Sequence, residues 1–455
     1  METVIENVIT ADFVASRMSR SGSLQVVDPA CGDGRFLAAA ERRIVELDGT
    51  CELTGVDVDP EAVAATSADL PNARLHCDDA LGHDWGDQRF DLVIGNPPFL
   101  SQMSALTTRG GASDRGGGPY ADAAAEFLAL SGELVDADGG RVALVLPQTL
   151  LATRDAEAVR RSIDERAEMI WSWWTGERVF EAQVHTCAIA LEFGSVSAGE
   201  HGSWAHVVTS RSGIPGLPQE LAAASVGTLG GRALLNANFR DEYYGMIPAV
   251  GDHSEGPRLI TSGLIDPGRS LWGDRAVKFA KAHFERPRLD LSKLDSKMHR
   301  WADKRLVPKV LVANQTRVIE AVCDPTGEWL PAVPVVGIYP HRMKGGLGAE
   351  VDLAWEIAAV LTSPIASAWV WHRSGGTGMS ANSIRLGPVV LADLPWPSGD
   401  LGPAVAALQR GDVRECGLAL LDAHGAADVD VREELFSWWV ASLERIESRQ
   451  PPSVV

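Results

Sequence analysis

The residues best suited to chemistry lie in Phe90-Asp91-Leu92-Val93-Ile94-Gly95-Asn96-Pro97-Pro98-Phe99, an apolar run that stops at Asn-Pro-Pro-aromatic. Two consecutive prolines fix the backbone and remove two N–H donors, so the segment after the run is stiff. That leaves the Asn96 side-chain oxygen and the Pro97 carbonyl as acceptors pointing at one spot, with an aromatic face beside them. A planar exocyclic amine suits such a spot. Two acceptors take its N–H groups and draw the nitrogen lone pair out of conjugation, while Phe99 stacks on the attached ring. Asn96, Pro97, Pro98 and Phe99 are therefore the candidate catalytic residues. The bland alternative is a proline-stiffened loop.

Three earlier motifs suggest what reacts with that amine. Val26-Val27-Asp28-Pro29-Ala30-Cys31-Gly32-Asp33-Gly34-Arg35-Phe36-Leu37 reads as a strand, a glycine turn and a helix start, which lets a ligand approach the backbone and the positive helix end. The turn is not GxGxxG, and Asp28 would repel a phosphate and attract an ammonium or sulfonium group. In Gly55-Val56-Asp57-Val58-Asp59-Pro60, Asp57 ends a second strand 23 residues after Gly34, placed to accept from both ribose hydroxyls of a nucleoside. Asp59 before Pro60 is a good helix cap, which is the structural alternative for this segment. In Cys77-Asp78-Asp79-Ala80-Leu81 a carboxylate after a third strand could accept from an adenine amino group.

The elements that must position these residues follow from periodicity. Leu24–Val27, Leu53–Val56, Phe90–Ile94, Arg141–Leu146 and Val184–Phe193 read as buried strands. Helical patterns at Phe36–Leu47, after Pro60, and at Tyr120–Val135 separate the first of them. Such alternation predicts an α/β fold with a doubly wound, mostly parallel sheet. Ser101–Pro119 holds five glycines among Ser, Thr, Asp and Arg and predicts a mobile loop directly after the Asn-Pro-Pro-Phe motif. Alternation stops at Ser195–Gly202, a linker by composition. Beyond it lie strand-like Lys309–Val312 and Val333–Ile338, and helices at Val351–Leu361 and near Arg432–Ile446. The boundaries so drawn are 1–195 and 203–455, and Trp171, Trp173 and Trp174 at mixed spacing read as core or interface.

The chain has 455 residues and a net charge of −20, a balance that argues at first against a nucleic-acid partner. Its distribution reverses that. Residues 1–200 hold 33 acids and 15 bases, whereas residues 201–350 hold 15 acids and 19 bases. All seven lysines fall between 278 and 344, and Arg275–Arg317 carries 12 bases against 4 acids. Such a stretch is either a solvated face or a phosphate-contacting surface, for which Lys278, Lys281, Lys293 and Lys297 are the candidates. Asn314, Gln315 and Arg317 stand close together and can reach base edges, or merely cap a turn. The six cysteines have no CxxC pairing and read as reduced thiols, with no zinc site and no disulfide framework. With no basic, apolar leader and no apolar run of eighteen residues, the expected location is the cytoplasm.

On DPACGDGRFL, GVDVDP, DDAL and NPPF, in that order and spacing, the sequence resembles the gamma-class adenine-N6 DNA methyltransferases, the TaqI-like type II modification enzymes of the N-6 DNA methylase family. The resemblance covers about residues 8–193. It implies a Rossmann-like methyltransferase sheet followed by a mixed α+β target-recognition domain. It further implies S-adenosyl-L-methionine held by Thr10, Asp28, Ala30, Gly32, Asp57 and Asp79, and a flipped adenine held by Asn96, Pro97 and Phe99. Phe180 matches a position where the family sets a second aromatic against the base. Phe99 stands where tyrosine is commoner, which keeps stacking and loses a hydroxyl. Double-stranded DNA is then the expected partner, with a separate cognate restriction endonuclease or defence subunit alongside. No metal enters the expected chemistry. The alternatives are an rRNA adenine-N6 methyltransferase, a protein-glutamine N5-methyltransferase (usually preceded by a helical domain, whereas 27 residues precede Asp28 here), and a DNA-specificity module that has lost catalysis.

Overall fold

The computed structural model describes residues 1–99, 115–118, 121–175, 185–194, 204–238, 240–252, 255–342, 345–378, 380 and 382–448. Two compact units divide the chain, Met1–Val208 and Thr209–Val455.

In the first unit, helices α1 (Glu2–Val8) and α2 (Ala11–Ser21) precede strand β1 (Leu24–Asp28). Then come α3 (Arg35–Glu46), β2 (Cys51–Asp57), α4 (Pro60–Asp69), β3 (Arg74–Cys77), β4 (Leu92–Gly95), α5 (Ala123–Leu134), β5 (Arg141–Pro147), α6 (Glu157–Asp164), β6 (Ala167–Trp174) and β7 (Thr186–Phe193). They build one seven-stranded sheet in the order β3-β2-β1-β4-β5-β7-β6. The run from β3 to β5 is parallel, and β7 is inserted antiparallel between β5 and β6. This is the doubly wound α/β sheet that the strand–helix alternation predicts. Strand order reverses between β1 and β4, the switch point where ligands of such sheets bind beyond the strand ends. Val26, Leu92, Ile94, Ala143, Ala188 and Ala190 fill the core there with Leu37 and Ile44. Continuous apolar runs such as Leu92–Gly95, buried at all four positions, are what a parallel strand covered on both faces requires.

Two differences from the sequence reading have local causes. The fourth strand starts at Leu92, since Phe90 makes only an isolated bridge to Val135 and the Asp91 carboxylate is drawn to Gln25 N at 2.8 Å and the Arg17 guanidinium at 3.3 Å. The tryptophan cluster lies in β6, whose register against β7 shifts between Met169 and Trp171. That bulge inserts a residue and breaks the two-residue alternation, so the spacing of Trp171, Trp173 and Trp174 gave no strand signal.

In the second unit, strands Ala321–Asp324, Lys309–Ala313, Val335–Pro340 and Ala233–Ala237 form an antiparallel sheet in that order. Helix Leu347–Leu361 packs against it, and helices Pro364–Ser374, Gly402–Gln409, Val413–Ala423 and Val429–Glu447 complete that layer. A second four-stranded sheet joins Val250–Gly251, Arg288–Leu289, Arg258–Ile260 and Trp329–Pro331. The unit is thus mixed α+β, as the resemblance implies. Lys309 is a departure from the basic-surface reading: it is fully buried, with Nζ 2.5 Å from Asp324 Oδ2. Asp324 also accepts from the amides of Gly327 (3.0 Å) and Trp329 (2.9 Å), so this charge is paired inside the sheet.

Candidate active site

The glycine turn after β1 is held by three hydrogen bonds from its neighbours β2 and α4. Cys31 N donates to Val56 O (3.0 Å), and Gly32 N donates to Asp57 Oδ2 (2.8 Å). From α4, the Thr66 hydroxyl donates to Gly32 O (2.8 Å). Gly34 has φ 76, and a Cβ there would stand 2.6 Å from Thr66 Cγ2, so only glycine fits. Thr66, fully buried in a helix of weak amphipathic pattern, braces this turn, a contact that the sequence reading missed. Cys31 beside it has its thiol pushed up to about 12 by burial, first, and by Asp28 and Asp57, so it is no nucleophile at neutral pH.

Asp28 is 1% exposed and accepts from Ala30 N at 3.0 Å. Burial lifts its carboxyl to about 7; the Ala30 amide opposes the rise and Asp57 adds to it. No Lys, Arg or His pairs with it among the described residues. A buried carboxylate without a cation fits a ligand that brings one. Asp57 ends β2 with both oxygens engaged, Oδ2 by Gly32 N and Oδ1 by Asp59 N at 3.0 Å. Each carboxylate oxygen keeps a lone pair for a further donor. Asp57 thus anchors the turn and keeps acceptor capacity for a further donor, whereas Asp59 caps α4 through Glu61 N. Asp79 is exposed after β3, with Oδ1 accepting from Leu81 N at 3.0 Å. Its neighbour Asp78 is held below the usual carboxylate range, mainly by its hydrogen bond with His83.

Thr10 stands elsewhere in this network. Its hydroxyl caps α2 through Phe13 N (3.4 Å) and accepts from Arg141 Nη1 (3.1 Å). Arg141 also donates to Val8 O (2.7 Å) and pairs with Glu192 (2.7 Å), so Thr10 works first as a joint between helix and sheet.

The Asn-Pro-Pro-Phe segment leaves β4 next to β1. A Cβ at Gly95 would lie 2.5 Å from Asp28 Oδ1, so the two motifs meet at that glycine. Asn96 is half-buried and its Oδ1 is sealed from solvent with no hydrogen-bond donor among the described residues. Such an orphaned acceptor costs about 1–3 kcal/mol and marks a place where a donor belongs. Pro97 is buried, Pro98 exposed and Phe99 half-buried. Gly95, and Asp91 tying β4 to β1 through Gln25, are positioning residues that only the folded sheet exposes. Phe180 and most of the glycine-rich Ser101–Pro119 stretch lie outside the described residues.

The residues expected to contact DNA are dispersed in the second unit. The Asn314 amide donates to Leu386 O (2.6 Å), so it acts as a tie to the strand Ile384–Arg385, with which Gln315 pairs in register. Arg317 donates to Ser442 Oγ and Asn382 Oδ1, both at 3.1 Å. The three serve internal contacts in this structure. Lys293 is exposed beside Asp290 and Lys297 beside Asp241, each at 3.4 Å; Lys278 and Lys281 are exposed on a hairpin.

Residues 26–107 match the family model described as a methyltransferase domain. Over 95 residues the chain is 26% identical to the type II methyltransferase M.CvrRI of Paramecium bursaria Chlorella virus XZ-6E, covering 21% of this chain and 24% of that protein. The chain thus spans about a quarter of the length of the curated relative it matches. Among solved structures it is similar to a putative class I S-adenosylmethionine-dependent methyltransferase from Listeria monocytogenes (20% identity, 42% of this chain and 60% of that one, TM-score 0.34). A modification subunit of a putative type I restriction enzyme from Vibrio vulnificus YJ016 is similar at 19% identity (42% and 47%, TM-score 0.33). The methyltransferase-domain match runs from β1 past β4, inside the first unit, and the cofactor it implies is S-adenosyl-L-methionine. The cation-free Asp28 and the tight glycine cradle fit that group.

Two outcomes test the site. Asp57→Ala should weaken S-adenosylmethionine binding by about 1.5–3 kcal/mol, read by calorimetric titration, because a charge-assisted acceptor is lost. An unchanged isotherm would reduce Asp57 to a turn anchor. If a target ring rests on Phe99, Phe99→Trp should retain more turnover than Phe99→Ala, since aromatic stacking on a base is worth about 1–3 kcal/mol with any aromatic face. Equal rates would mean that no base rests on this ring.

Proposed function

We propose that this chain is a site-specific DNA adenine-N6 methyltransferase acting in restriction-modification or a related defence or epigenetic system. The observation that carries the reading is the buried, donor-less Asn96 Oδ1 at the end of β4, one strand from the cation-free carboxylate of Asp28. S-adenosylmethionine supplies an electrophilic methyl group on a sulfonium. Asp28 and Asp57 hold that cofactor by its positive charge and its ribose. The target adenine leaves the duplex at a cost of about a few kcal/mol and stacks on Phe99. Asn96 Oδ1 and the Pro97 carbonyl accept from its N6 amine, which localises the nitrogen lone pair and stabilises the positive charge that grows as N6 attacks. Proximity of amine and methyl supplies much of the remaining acceleration. The second unit reads DNA, and a separate restriction endonuclease or defence subunit is the expected companion.

The test is to incubate the protein with S-adenosylmethionine and unmethylated duplex DNA, then digest and analyse nucleosides by mass spectrometry. N6-methyladenine at one recurring sequence is the expected product. Methylation confined to ribosomal RNA, to glutamine of a protein, or absent despite cofactor binding would replace this reading.

A further inference from the structure

The second unit has a cleft of about 430 Å³ between the hairpin of strands Val277–Phe279 and Ala282–Phe284 and the turn at Thr261–Gly263. Its walls carry Arg275 and Lys278, the hydroxyls of Thr261 and Ser262, and the rings of Tyr243 and Phe279, whose centroids are 5.0 Å apart. No lining residue is acidic, in a chain with 20 more acids than bases. Arg275 Nη1 donates to Gly263 O at 3.0 Å, which holds the cation against the opposite wall with no carboxylate partner among the described residues. Asp274, its neighbour in sequence, is paired with Arg269 at 2.8 Å.

The hairpin itself is unusual. Val277 pairs with Phe284 and Phe279 with Ala282, so the loop is the two residues Ala280 and Lys281, with φ 48 and 69. Two-residue turns with both φ values positive favour Asn-Gly, since a Cβ is disfavoured there. Here an alanine and a lysine occupy it, and the lysine is presented at the tip. Lys278 and His283 are directly opposed on the same hairpin, both exposed. The remaining candidate lysines differ in kind. Lys293 and Lys297 each have a carboxylate at 3.4 Å, which partly cancels their charge before any ligand arrives.

Resting on the DNA reading above, we infer that this cleft and its hairpin hold the phosphate of one nucleotide of the nucleic-acid strand. Arg275, Lys278 and Lys281 would then be the phosphate contacts, and the Tyr243–Phe279 wall the surface for its sugar or base. The cationic, hydroxyl-bearing and acid-free lining specifies a phosphate.

The experiment compares K278Q/K281Q with K293Q/K297Q in the full chain, measuring duplex DNA affinity from low to moderate salt, with thermal melts to confirm folding. Each lost phosphate contact lowers the slope of log affinity against log salt by about 0.9. The hairpin pair, which shares one phosphate, should therefore flatten the slope by about 0.9, and the paired lysines by less than half as much. Thymidine monophosphate serves as the small probe. If the chain binds it in a manner abolished by K278Q/K281Q but binds no duplex DNA, the cleft takes a free nucleotide; the cleft stands and the DNA reading falls. Duplex binding with a slope indifferent to K278Q/K281Q, or equally affected by both pairs, overturns the cleft and leaves the DNA reading intact. Binding of neither probe overturns both.

Discussion

Asn96→Ala is expected to slow methyl transfer by about 100- to 1,000-fold or more while leaving cofactor affinity within a few-fold, because one preorganised acceptor in a dry site is worth that much at the transition state. The split is what identifies the role. Asn96 makes none of the hydrogen bonds that hold the glycine turn, which come from Val56, Asp57 and Thr66. The variant should also fold at least as well as the parent. Its Oδ1 has no donor among the described residues, and deleting a buried, unsatisfied acceptor removes a penalty and strips no partner there. Single-turnover rates, cofactor titration and a melting curve check the three parts together. A sluggish enzyme with a lowered melting temperature would point to a loop-stiffening Asn96, and near-normal turnover would remove it from the chemistry.

A second large effect concerns pH. The Asp28 carboxyl is lifted by burial to about 7, above its value in the unfolded chain. Between about pH 4 and 7 the folded state therefore binds more protons than the unfolded one, and this group's contribution makes stability fall as pH rises through that window. Cofactor binding runs the other way. A sulfonium and an ammonium favour the ionised carboxylate, so binding expels the proton from Asp28. Affinity should rise up to about tenfold per pH unit on approaching 7 from below, then level off. Calorimetry at pH 6 in buffers of different ionisation enthalpy should register proton release. Asp28→Asn should bind weakly with a flat pH profile. A parent chain whose affinity does not change between pH 5.5 and 7.5 would show that Asp28 does not meet the cofactor's charge.

The sequence disclosed this architecture unevenly, for physical reasons. Parallel strands covered on both faces are largely apolar, so Leu92–Ile94 and Val142–Leu146 are visible as runs, and the motifs at strand ends are visible as departures from them. Edge strand β6 was hidden by its bulge. The contacts joining one motif to another were hidden altogether: Thr66 on the glycine turn, Gly95 against Asp28 and Asp91 on Gln25 depend on long-range packing that leaves no local pattern. The basic stretch illustrates the reverse error. Counting charges groups Lys309 with Lys278, although one is sealed in a sheet against Asp324 and the other is on a hairpin surface. Asn314 and Arg317 have base-reading side chains by type, yet the fold uses them as internal ties.

The near-contact of Gly95 with the Asp28 carboxylate bears on redesign. Because β1 and β4 are hydrogen-bonded neighbours and no methyl group fits between them there, the donor and acceptor halves of the site form a single mechanical part. Enlarging the cavity to transfer an ethyl or allyl group from a synthetic sulfonium cannot be achieved by trimming this seam, which already holds the smallest residue.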